Sequence, residues 1–276
     1  MRVLAYELRR LRGLRSTWCV LAAVLLGDAA VAAVIAHQLP SGTLSVSAAV
    51  RSLTAIVPLL PLPIAALGAG ALGALSYGHE VRHPGLAASQ VAYRRRIGLL
   101  AGKLAVIGLL AVALAVATIV LDVVVLRFAL PLRVDAGQLF AGDVPSLLAA
   151  GRALAVFGAL VVLAGWSGVL TTSLVRSAAA GMLILCALPA LLEPALVLAL
   201  RQVGRPLPDQ VRELLPFQYG LDWLGVTPQG TAPTLGPALS PELQSVLQPV
   251  FLAASLAPAA ALLVACLVVQ ARRRAL

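Results

Sequence analysis

Residues 76–86 read SYGHEVRHPGL, and two incompatible proteins can be built around them. His79, Glu80 and His83 spell H-E-x-x-H, a spacing that lets a helix present two imidazoles to one zinc ion with a carboxylate beside them as general base. The same stretch also reads as a charged break between two apolar runs, carrying both signs of charge and closed by Pro84-Gly85. The choice lies between an intramembrane peptidase and a helical bundle of another kind.

Working outward, the zinc reading meets obstacles. Arg82 occupies one of the two positions inside the motif, and Pro84-Gly85 break a helix directly after the second histidine. A catalytic zinc needs a third protein ligand. The chain has three histidines, and His37 stands at the opposite end of its apolar run from the motif. Glu7 is the other carboxylate expected on the motif's side of the membrane. The match weighs towards coincidence, and a zinc metallopeptidase using His79, Glu80 and His83 is the alternative from the enzyme class.

The surroundings are apolar to a degree no soluble domain shows. Of 276 residues, 61% are hydrophobic and 12% charged, against roughly 25% charged in an average soluble domain, and the mean hydropathy is +0.97. Six runs are long enough to cross a bilayer, near 17–37, 53–77, 99–126, 150–174, 178–200 and 250–270. The expected fold is all-α: one polytopic membrane domain over 1–276 with six transmembrane helices and no internal repeat. Residues 201–249, with eight prolines and two short candidate helices, "PDQVRELLPF" and "SPELQSVLQPV", form an external segment too Pro-rich for an enzyme domain.

Charge sets the orientation. Fourteen of the 21 Lys and Arg fall on the side of the termini and seven on the other, so the positive-inside rule puts both termini in the cytoplasm. No basic tract with interleaved aromatics follows nucleic acid, and the basic excess reports topology. Cys19, Cys186 and Cys266 lie in apolar runs without metal-ligand spacing. Before the first run, "AYELRRLRGLRS" over 5–16 places Leu8, Leu11 and Leu14 on one helical arc and Arg9, Arg10 and Arg12 off it. That pattern predicts a helix over 1–16 lying in the membrane interface. Glu7 falls inside the apolar arc, where it meets a cation such as Arg10 or one of Arg94, Arg95 and Arg96, or else snorkels to the surface. No phosphate loop is present, since "GLLAGK" over 98–103 is a residue short and lacks the following Ser or Thr.

Glu80, Arg82 and Leu86, followed by the basic cluster Arg94, Arg95 and Arg96 and by Lys103 in "YRRRIGLLAGKLAV", resemble the cytoplasmic connection of ABC transporter permeases of the type-2 export class. Pro84-Gly85 stand where Gly-Thr is usual in that family. The order of parts is similar along the whole chain: a basic N-terminal helix with an early Glu, six runs, a tight fourth-to-fifth connection at Arg176-Ser177 and a long outer segment before the last run.

The resemblance implies a bacterial plasma-membrane permease that exports an amphipathic or lipid-like molecule such as a drug, antibiotic, lipid or glycan. It implies no catalytic site, metal or cofactor in this chain. ATP and Mg would be bound by a partner ATP-binding subunit gripping residues 79–98 through Glu80, Arg82, His83, Arg94, Arg95, Arg96 and Lys103. Anchoring to anionic lipid headgroups is the simpler role for the arginines, and the two are compatible. A second permease copy or paralogue would complete the pathway. Asp28 in the first run and Glu193 in the fifth are the candidates for contacting substrate or the dimer interface, or are packing residues. A non-transporting accessory or immunity protein is the remaining alternative.

Overall fold

The computed structural model describes residues 2–38, 53–54, 60, 62–82, 93–129, 144–187 and 264. Among them every regular element is helical: α1 (Arg2–Gly13), α2 (Arg15–Gln38), α3 (Ile64–Arg82), α4 (Tyr93–Ala129), α5 (Val144–Val175) and α6 (Ala178–Ala187). Stretches Arg15–His37, Leu100–Phe128 and Ala150–Val175 are long and apolar enough to cross a membrane, and Ile64–Tyr77 and Ala178–Ala187 are shorter apolar pieces. The sixth run apart from Val264, the external segment 201–249 and the second half of the fifth run lie outside the described residues.

The second run differs from its expected extent. An apolar stretch over 53–77 suggested one helix, whereas α3 starts at Ile64. Pro63 supplies the reason: it lacks an N–H to continue a helix backwards, yet its carbonyl accepts the first helical bond, from Leu67 N at 3.0 Å. Helix α4 behaves in the opposite way and overruns its expected extent at both ends. Its 37 residues reach about 55 Å at 1.5 Å per residue, well beyond a hydrocarbon core of roughly 30 Å. The turns before Leu100, which carry Arg94, Arg95 and Arg96, therefore protrude as a root.

Packing centres on α3 and α5, the most intimate helix pair. A Cβ on Gly73 would collide with the Gly165 carbonyl oxygen, and one on Gly168 with the Gly70 carbonyl. The backbones touch because nothing intervenes, which is how helices associate when lipid supplies no hydrophobic drive between them. Residues Gly70, Ala74 and Gly78 recur every fourth position; for Gly70 and the buried Ala74 the partner face is inside this chain. Around this seam, Val24, Leu62, Ala111, Leu114, Phe157, Leu160 and Leu185 form the main core.

The helix α5 turns into α6 within two residues. Arg176 adopts φ 58° there, the left-handed conformation that ends helices and that a side chain disfavours. Facing away from the core, Val112, Val116, Val120, Val124 and Phe128 make an exposed apolar stripe along α4, the surface lipid tails would cover.

Candidate functional site

One end of the bundle gathers α1, the root of α4, the end of α5 and the start of α6. Leu11 of α1 is buried with Leu100, Val106 and Ile107 of α4 and Val169 and Leu170 of α5, with Leu8 and Leu14 packed alongside. Leu8, Leu11 and Leu14 of the predicted amphipathic arc thus all meet protein. The helix is docked on the bundle by the face expected to meet lipid.

Glu7 sits on that docked face, one turn before Leu11, because residues four apart share a side of a helix. Its Oε1 accepts a hydrogen bond from Lys103 Nζ at 3.1 Å, both side chains being 4% exposed. Arg10 approaches the other oxygen, Oε2, at 3.8 Å. Of the two cation sources named for Glu7, Arg10 is present and Lys103 was not foreseen; it had been grouped with the residues a partner would grip. Lys103 instead turns inward and ties α1 to α4. One residue on, the Leu104 carbonyl accepts a hydrogen bond from Trp166 Nε1 at 2.9 Å, tying α4 to α5. Successive positions of α4 thus fasten it to two different helices. At the corner between α1 and α2, Trp18 Nε1 donates to the Arg12 carbonyl at 2.9 Å while the ring stays exposed, the posture of an interfacial anchor.

Glu80 and Arg82 fall in the last turn of α3 and Arg94, Arg95 and Arg96 in the first turn of α4, so the two charged groups flank the connection 83–92 at the same end of the bundle. His79 shares that last turn of α3. His83 and Glu193 lie outside the described residues. Among those described, no three His, Cys, Asp or Glu side chains gather.

Asp28 is 1% exposed and lies inside the chain's own bundle, against α4. Across from it on α4 stands Asp122, at 0% exposure, close enough for the two carboxyl groups to interact. Among the described residues no other group hydrogen-bonds to any of their four oxygens. Run lengths had set Asp28 mid-membrane and Asp122 near the outer end of its run; the long root of α4 offsets the two helices and brings the residues level. The available signal was the rarity of carboxylates inside apolar runs, and pairing them needed the register between α2 and α4. No protein-family model, curated protein or solved structure matches this chain.

Proposed function

We propose that the chain is the membrane permease subunit of an ATP-driven exporter of the type-2 ABC class. It would have six spans and cytoplasmic termini, and would work beside a second copy or paralogue and separate ATP-binding subunits. Its cargo is an amphipathic or lipid-like molecule carried outward across the bacterial plasma membrane.

The observation that supports this reading best is the joint at the root of α4. A partner pulling on residues 79–98 would act on the protruding turns of α4, and the buried Glu7–Lys103 bond and the Trp166–Leu104 bond would pass that motion to α1 and α5. Buried hydrogen-bonded contacts transmit displacement because close-packed interiors deform little. The connection gives an ATPase something to grip, and the chain needs one because it lacks a phosphate loop.

The test starts from the neighbouring reading frames, where an ATP-binding protein should be encoded, and co-expresses the two. A complex should co-purify, and reversing Arg94, Arg95 and Arg96 to Glu, or Glu80→Ala, should separate ATP hydrolysis from transport while the complex still assembles. Failure to recover any ATPase, or transport-coupled hydrolysis unchanged in both variants, would overturn the reading.

A further inference from the structure

Two carboxyl groups interact across the α2–α4 interface with no counter-charge beside them among the described residues. Asp28 and Asp122 are 1% and 0% exposed and interact with one another, and among the described residues no other group donates to any of their four oxygens. Among the described residues their neighbourhood offers no cation. Lys103 is bound to Glu7 about five turns away along α4 at 3.6 residues per turn. Arg15 and His37 on α2, Arg127 on α4 and Arg152 on α5 are exposed, and none reaches either carboxylate. Helix α3 meets this part of α2 at its start, where Ile64 lies against Gly27, whereas its charged residues occupy its last turn. On α1 the charges are Arg2, Glu7, Arg9, Arg10 and Arg12, and the helix lies at the far end with Lys103.

Like charges in a low-dielectric interior repel, and a buried charge without a partner costs several kcal/mol in proteins. A site composed of nothing but acceptors is stable when something positive completes it. We propose that the Asp28–Asp122 interface is a binding site for one small monovalent cation, a proton or an alkali ion, held between the two carboxylates. Size follows from the near-zero exposure, which leaves no opening for an organic ammonium group. Thr118 lies one turn from Asp122 on the same face of α4, and its hydroxyl proton is donated to the Ala115 carbonyl at 3.0 Å, so its lone pairs remain as acceptors. Holding the cation clamps α2 to α4. This site stands on its own geometry, independently of any transport role.

The experiment uses the purified full chain in lipid nanodiscs. Its thermal unfolding midpoint is followed in sodium, potassium or lithium chloride against N-methylglucamine chloride at matched ionic strength, and separately across pH in N-methylglucamine alone. The midpoint should rise with an alkali ion, which identifies that ion as the occupant, or rise only as pH falls, which identifies the proton. Either rise should vanish in Asp28→Asn and in Asp122→Asn, while Glu7→Gln keeps it. In N-methylglucamine at alkaline pH the Asn variants should unfold no earlier than the native chain, since each removes one of two repelling charges. A native midpoint flat in both series, a response that survives in both Asn variants, or Asn variants that fail to fold would each overturn the proposal.

Discussion

Lys103 and Glu7 form an ion pair at 3.1 Å with both side chains 4% exposed, joining the first helix of the chain to a helix that begins far along it. Removing one member leaves the other charge buried alone, so Glu7→Leu or Lys103→Met should each destabilise by about 3–5 kcal/mol. The double variant Glu7→Leu/Lys103→Met should recover most of that loss. Urea unfolding of the four proteins in a common detergent checks the cycle, and strict additivity would show that the pair is not coupled.

Backbone contact between α3 and α5 makes a second prediction. Gly73→Ala and Gly168→Ala each insert a methyl group where a carbonyl already sits, and overpacking of this kind costs about 1–3 kcal/mol. Gly151→Ala on the exposed side of α5 meets nothing within 4 Å and should change stability by no more than about 1 kcal/mol. Midpoints of thermal aggregation, read by size exclusion, separate the two classes.

At the α5–α6 turn, Arg176 holds φ 58°, a conformation costing a residue with a Cβ about 1–2 kcal/mol that glycine escapes. Arg176→Gly should therefore raise the unfolding midpoint, and Arg176→Val should lower it. Equal midpoints for the two variants would contradict the left-handed turn.

The indole of Trp166 donates to the Leu104 carbonyl. Trp166→Phe keeps most of the apolar bulk and removes the donor, with an expected loss of about 0.5–1.5 kcal/mol. Because the bond anchors the root of α4, the same variant should also speed hydrogen exchange at backbone amides around Leu104 and leave those around Phe157 unchanged.

Orientation has its own check. In a chain with Cys19, Cys186 and Cys266 replaced by Ala, Ser177→Cys at the exposed turn should react with a membrane-impermeant maleimide in inside-out vesicles and not in intact cells. Labelling from outside would invert the topology.

Much of the fold was legible because lipid imposes one rule, an apolar run long enough to bridge the hydrocarbon, and the helices α2, α4 and α5 obey it. The charge pattern of α1 likewise gave its helix and the conflict at Glu7. Periodicity could not supply the partner of each face. An arc of Leu8, Leu11 and Leu14 suits a lipid surface and a protein surface equally, and the choice depends on where α4 and α5 end. Lys103 looked like a surface lysine because it lies just beyond a basic cluster, yet α1 docks over it and its ammonium group is buried against Glu7. Asp122 escaped notice as a site residue for a related reason: its depth was counted from the ends of a run, and a helix longer than the membrane is thick has no fixed zero.

The Glu7–Lys103 bond also orders events during synthesis. Its members are 96 residues apart in the chain, so at roughly 5–20 residues per second the ribosome needs about 5–20 s to deliver the lysine after the glutamate. During that interval the amino-terminal helix has only Arg10 to offset its acid and no groove to enter. It must wait at the membrane surface for a helix not yet translated, which makes the amino terminus the part of the molecule where a bulky fusion would most disturb assembly.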